Sequence, residues 1–355
     1  MAKSSTGVHP AKRRRSTMSL VALVAACVTV GAVFATQATG SSGTLKPAQV
    51  KVALVPGGPH PYFQPWIQAG KQANTAFKLG SVTFNETAGW DQTKQNDVLN
   101  SLAAQGYNAF GIFGVSPDTI NTTFSSLKRK GFAVASLASC PAGKIDTADF
   151  CLATDAKASS YEQAKLAIKA MGGHGNLVHL TGNKLDSNTT RRIAGVQQAV
   201  DETHGQVKLI DTVTDIDKDL QTAQKAVADL LAAKGSQINA IVNTAYNPSV
   251  ASAEAVKQQG LPIKVITFND DPAILAGLRD GSITATVIQN PAGQAYVGAY
   301  ALMKLAGGCK MKKPGVAIDS GYFVVTKANL ATYKSLTKSK TKQLIAAFNT
   351  KYLSC

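Results

Sequence analysis

From residue 50 onward, short apolar runs alternate with longer segments in which apolar positions recur at helical spacing. "VKVALV" (50–55) is a β-branched strand pattern, "FQPWIQAGKQANTAFKL" (63–79) a helix, "SVTFN" (81–85) a strand, and "QTKQNDVLNSLAAQG" (92–106) a helix closed by Gly106. "NAFGIFG" (108–114), a helix over 117–130, "FAVASL" (132–137) and "DFCLATD" (149–155) continue the alternation, followed by a helix over 158–171. A second series holds strands at 176–182, 207–212, 239–244, 263–268 and 284–289, with helices over 189–204, 218–234, 248–259 and 291–306. Alternation of this kind builds βαβ units around parallel sheets covered on both faces. About ten strands in two runs exceed what one compact sheet needs, so the pattern predicts two doubly wound, Rossmann-like α/β lobes. In such sheets ligands bind where strands end.

The first forty residues break the pattern. "AKRRR" (11–15) precedes "MSLVALVAACVTVGAVFA" (18–35), an apolar run without a charge, which reads as an export signal over 1–40 with cleavage near Ala38. "VAAC" (24–27) offers a second reading in which Cys27 is lipidated, and an uncleaved membrane anchor is a third. "SSGTLKPAQ" (41–49) reads as a flexible tether.

Charge changes this picture little. The formal net charge of +16 suggests nucleic acid, but five positive residues lie in the signal, and residues 304–355 hold ten lysines against one aspartate. Residues 41–303 carry 22 basic and 20 acidic side chains, so the main body is nearly neutral. A Lys-rich terminal face without interleaved aromatics does not read as a nucleic-acid site. With Cys27 set aside, Cys140, Cys151, Cys309 and Cys355 form an even set, which in an exported chain points to disulfides. Their spacing matches no zinc pattern, and His60, His174, His179 and His204 show no metal-ligand spacing, so no metal or other cofactor is expected.

The strand ends carry the candidate chemistry. They supply His60, Tyr62 and Phe63, then Trp90 and Asp91, Ser116 and Ser139 in the first series. The second adds Asp186, Asn188 and Arg192, then Asn243, Tyr246 and Asn247, then Asn269 and Asp270, and Gln289. Aromatic faces accept the C–H faces of a sugar, while Arg and Asn hold neighbouring hydroxyls two at a time. That set suits a small, neutral, polyhydroxylated ligand. Nucleophile elbow and Walker sequences are absent, and "PGGPHP" stands where a dinucleotide-binding GxGxxG would follow the first strand. "MGGHG" (171–175) precedes a strand and reads as a helix-ending turn, so an enzyme is not expected.

Over residues 50–326 the chain resembles type I periplasmic binding proteins, close to the ribose-binding group that serves sugar importers. The resemblance rests on "VALVPGGPHPYFQPWIQAGKQA", "CLATD" (151–155), "TTRRIAGVQQAV" (189–200) and "VITFNDDPAILAGLRDGSITATVIQNPAGQAYVGA" (265–299). It implies crossovers near 153, 290 and 320 that form a three-stranded hinge. The first lobe would then span 50–153 plus 290–320 and the second 154–289 plus 321–330, leaving a Lys-rich helical tail over 331–355. By position, His60, Tyr62 and Phe63 replace the family's Asn, Phe and Phe, Arg192 matches its hydroxyl-binding Arg, Asn269 stands in place of an Asp, and Gln289 matches its Gln. The family's Asp-Arg pair becomes Ala138-Ser139 and its Asn-Asp becomes Ala245-Tyr246. Losing those charged groups while gaining Trp90 and Tyr246 suggests a smaller or acyclic polyol.

The expected function is that of an extracytoplasmic solute-binding protein of an ABC importer, a monomer that delivers a neutral sugar or sugar alcohol to a membrane permease. The alternatives are an exported sensor of the same fold acting through a receptor, and the core of a lactose-repressor-type regulator. The latter needs a helix-turn-helix where this chain has its signal. Of the three pairings that four cysteines allow, Cys140–Cys151 closing a short loop and Cys309–Cys355 pinning the tail are expected.

Overall fold

The computed structural model describes residues 44–143 and 145–355. The expected export signal over 1–40, its expected cleavage site near Ala38 and the lipidation candidate Cys27 lie outside the described residues. Among the described residues, no helix is long and apolar enough to cross a membrane.

The first lobe begins with β1 (Lys51–Val55), α1 (Gln64–Phe77), β2 (Ser81–Phe84), α2 (Gln92–Ala104), β3 (Ala109–Ile112), α3 (Ile120–Arg129), β4 (Ala133–Leu137) and β5 (Phe150–Ala153). The second contains α4 (Ala156–Ala170), β6 (Gly175–Leu180), α5 (Ser187–Asp201), β7 (Val207–Val213), α6 (Leu220–Lys234), β8 (Ala240–Asn243), α7 (Tyr246–Gln258), β9 (Lys264–Phe268), α8 (Pro272–Asp280) and β10 (Ala285–Gln289). Then follow α9 (Pro291–Ala306), β11 (Lys310–Met311), β12 (Val316–Asp319), β13 (Tyr322–Val325), α10 (Tyr333–Ala347) and β14 (Leu353–Ser354).

Two six-stranded sheets result, ordered β12-β5-β4-β3-β1-β2 and β13-β10-β9-β8-β6-β7. The first is parallel throughout, whereas β13 runs antiparallel to β10 at the edge of the second. The central strands are buried on both faces, as in the unbroken burial of β3, β4, β8 and β10, which is why they read as apolar runs instead of alternating ones. Helix starts follow their caps: Asp91, Asp155, Asp186 and Asp219 each accept a backbone N–H from the first turn of α2, α4, α5 and α6.

The chain passes between sheets three times, after Ala153, after Gln289 and between Asp319 and Tyr322. The three passages are joined by side chains. Gln294 of α9 donates from Nε2 to Ser320 Oγ at 2.9 Å, and Ser320 Oγ lies 3.2 Å from Thr154 Oγ1. All three residues are buried.

Helix α8 and the four strands β11 to β14 went unread in the sequence. "DPAILAGLRD" is short, and the strands have two to four residues each, too few to display a period. Leu45 N donates to Ala306 O at 3.2 Å, so the chain is docked on the body from there. The tail is also docked. Phe348 is buried against Phe150 with ring centroids 5.1 Å apart, β14 pairs with β11, and Cys309 is bonded to Cys355. Cys140, just past β4, is bonded to Cys151 within β5, so both disulfides are those expected.

Candidate functional site

A cavity of about 400 Å³ lies between the lobes at the carboxyl ends of β1 to β4 and of β6 to β10. Of the predicted residues, His60, Tyr62, Phe63, Trp90, Arg192, Tyr246, Asn269 and Gln289 line it, together with Asn188 and Asp186.

The first lobe's wall grows out of the loop "VPGGPHPYF". His60 Nδ1 accepts the backbone N–H of Tyr62 at 3.2 Å, which starts a helical turn at Pro61 and turns the three rings toward the cleft. The paired glycines have a steric reason. A side chain at Gly58 would come within 2.8 Å of the Trp90 indole, and one at Gly57 within 2.9 Å. Trp90 can therefore fold back over the loop, and it does so with φ +63°, a left-handed conformation costly for a bulky residue. Ala138 (φ +67°) and Asn269 (φ +66°) are also left-handed cavity residues at strand ends. Backbone strain of this kind collects at functional sites.

The second lobe supplies the polar wall. Arg192, on α5, is 8% exposed, and its guanidinium stacks over Phe268 at 5.0 Å. It has no ion-pair partner among the described residues, and its buried Nε meets no acceptor. Gln289 Oε1 is likewise buried without a donor. Asn269 Oδ1 lies 3.4 Å from the backbone N of Gln289, which aligns the two side chains at the ends of β9 and β10. A buried cation and a buried amide oxygen without protein partners are costly unless a polar molecule completes them.

Beneath this wall, His179 is fully buried, with Nε2 2.8 Å from Thr244 Oγ1. Burial, assisted by the charge of Arg192, pushes its pKa down to about 3, so the ring stays neutral. Burial also raises the Tyr62 phenol well above its ordinary range. Its O–H donates to Gln294 Oε1 at 2.7 Å, linking the cavity to the buried trio at the crossovers.

The lobes touch across the cavity's rim. His60 Nε2 lies 3.5 Å from Asp217 Oδ2, Asn188 Nδ2 donates to Ala138 O at 3.1 Å, and Ser187 Oγ donates to Cys140 O at 2.8 Å. Ser139, expected at the ligand, belongs to this rim. Its Oγ lies 3.1 Å from both Asp186 Oδ1 and Ser187 Oγ, and it does not line the cavity. The strand-end residues Asp91, Ser116, Asn247 and Asp270 are also engaged elsewhere, Asn247 with Asp217 and Asp270 with the Tyr333 hydroxyl.

Phe113, Phe268 and Asp217 line the cavity and were missed in the sequence. The two phenylalanines sit in strand-like apolar runs where rings read as core. Asp217 follows β7 as Trp90 follows β2, and comparison of the two lobes' corresponding strand ends would have found it.

Residues 52–310 match the periplasmic binding protein domain family. This chain is a member of that family. Its members bind solutes and are not an enzyme family, and membership implies an extracytoplasmic location. The ribose import binding protein of Bacillus subtilis is 25% identical to this binding protein over 218 residues, which is 61% of this chain and 68% of that one. Among solved structures, a solute-binding protein from Burkholderia graminis in complex with D-arabinose superposes with a TM-score of 0.73 at 21% identity, covering 80% of this chain and 97% of the other. A solute-binding protein from Bacillus halodurans with bound myo-inositol gives a TM-score of 0.73 at 18% identity over 84% and 99%. These likenesses establish the fold of two lobes with Rossmann-like sheets.

Proposed function

We propose that this binding protein captures a small, neutral, polyhydroxylated molecule between its lobes and delivers it, as a monomer, to the permease of an ABC importer. The observation that carries the reading is the buried Arg192, which lacks an acceptor among the described residues and faces the same cavity as Asn269 and Gln289. A guanidinium holds two neighbouring hydroxyls at once, and an Asn and a Gln beside it each offer both a donor and an acceptor. Rings of Tyr62, Phe63 and Tyr246 give flat apolar surface for the ligand's C–H faces. Asp186, Asp215 and Asp217 also line the cavity, against Arg192 and Lys218, and this near balance of charge favours a neutral ligand over an anion. The ligands of the fold's relatives, arabinose and myo-inositol, are of this class.

The lobes, 50–153 with 290–320 and 154–289 with 321–330, swing about the three passages between sheets. Ligand favours the closed form because it touches both walls only there, and the closed form is what the permease recognises. A thermal-shift screen of the exported chain against sugars and sugar alcohols, followed by calorimetry, tests the reading. Saturable, salt-independent binding of a neutral polyol is expected. Tight binding of a phosphate or an amino acid instead would overturn it.

A further inference from the structure

We infer that the ligand is one-sided, a sugar or polyol whose hydroxyls lie along one edge and whose opposite end carries an apolar substituent: the methyl of a deoxy sugar or the aglycone of a glycoside. The inference rests on the polyol reading above and narrows it.

The two walls of the cavity differ in what they offer. Unsatisfied polar atoms belong to the second lobe, at Arg192 Nε and Gln289 Oε1. The first lobe contributes His60, Tyr62, Phe63, Gly89, Trp90, Phe113, Val115 and Ala138, and most of its side-chain donors and acceptors are already engaged. His60 Nδ1 accepts from Tyr62 N, and His60 Nε2 faces Asp217 at 3.5 Å. The Tyr62 hydroxyl donates to Gln294. Part of its backbone is engaged as well. Phe113 O accepts from Gln95 Nε2 at 2.7 Å, Val115 N donates to Gln95 Oε1 at 3.2 Å, and Ala138 O accepts from Asn188. The indole N–H of Trp90 is a remaining donor, on a ring edge that lies against Gly58.

What this wall does present is a cluster of rings. Phe63 and Phe113 have centroids 5.2 Å apart, Phe63 and Trp90 6.2 Å, and Trp90 and Phe113 6.1 Å. A ligand hydroxyl closed against these rings loses water without gaining a partner, a loss of about ten-fold or more in affinity. A methyl or phenyl group at the same place buries apolar surface on both sides. Trp90 is 40% exposed and Leu185, at the cavity, 73%, so a longer substituent has a path toward solvent along apolar side chains.

Calorimetry on matched pairs tests this: D-glucose with phenyl β-D-glucoside, L-galactose with L-fucose, and L-mannose with L-rhamnose. For the pairs that bind, the deoxy or phenyl member is expected to bind about ten-fold or more tightly than its parent. Trp90→Ala is expected to weaken the deoxy or phenyl member more than its parent and so to erase that preference, and Phe113→Leu to reduce it. If the parents bind as tightly as their partners or more so, the one-sided ligand is wrong and the polyol reading stands. If Trp90→Ala and Phe113→Leu both leave the preference intact, the assignment to this wall fails. Binding by no member of any pair, together with a blank screen of neutral polyols, would sink both readings.

Discussion

Asp217 of the second lobe places its Oδ2 3.5 Å from Nε2 of His60 in the first, and the same carboxylate accepts the backbone N–H of Asn247 at 2.7 Å. The pair therefore joins the lobes at the rim of the cavity while Asn247 fixes Asp217 in place. Burial by itself would raise the Asp217 carboxyl, but the charge and hydrogen bond of His60 and the bond from Asn247 outweigh it and hold it below its ordinary 3.8.

A pH dependence of closure follows. Because the carboxyl is depressed in the closed form, its contribution is complete above the ordinary carboxylate value and is lost as pH falls through the lower, closed-form value. Asp217→Asn keeps the shape but removes the charge. It is expected to weaken ligand binding by about 1 kcal/mol, roughly five-fold, and to remove the strongly acid part of the pH dependence. Small-angle scattering of the ligand-free variant should show a larger radius of gyration than the wild type, and an unchanged radius and affinity would show that the contact does not hold the lobes.

Arg192 is predicted to act in opposite directions on binding and stability. Arg192→Met removes a buried cation without a protein partner, so the ligand-free protein should melt roughly 2 to 4 °C higher, about 1 kcal/mol. Polyol affinity should fall by about 1.5 to 3 kcal/mol, roughly ten- to a hundred-fold. Melting and calorimetry on one preparation check both. A variant that loses stability and keeps affinity would assign Arg192 to the scaffold.

His179 sets an acid limit on folding. Its pKa is near 3 in the folded chain against an ordinary 6.5, so the unfolded chain takes up the proton first. Its contribution is whole above 6.5 and drains away as pH falls toward 3, amounting at most to about 5 kcal/mol. Urea unfolding as a function of pH should show this slope, and His179→Gln should flatten it.

The Cys309–Cys355 bond, 46 residues apart in sequence, should stabilise the chain by about 4 kcal/mol through the unfolded state, and Cys140–Cys151, 11 apart, by about 3 kcal/mol. Cys309→Ser with Cys355→Ser should raise hydrogen exchange over α10 and β14 and leave polyol affinity unchanged, because the tail does not line the cavity. Faster exchange in the second lobe's sheet would show that the tail supports more than itself.

The sequence by itself determined the alternation of strands and helices, the split into two series and ten of the residues that line the cavity. Each of these is written in local order. A strand stretch buried on both faces reads as an apolar run, as in β3 and from Val52 to Val55 of β1, and a strand end is recognisable from its own neighbours, as at His60, Arg192 and Gln289. The tertiary structure decided what depends on the approach of distant segments. Ser139 went to the rim because Asp186 and Ser187, nearly fifty residues on, come within 3.1 Å of it. Asp217 entered the site because closing the lobes brings it to His60, and Phe113 and Phe268 turned from strand residues into cavity walls because the sheets end there. The division into a polar and an aromatic wall has the same origin. Whether a donor is free or spent, as for Tyr62 with Gln294 or Phe113 O with Gln95, depends on a partner that no local pattern names.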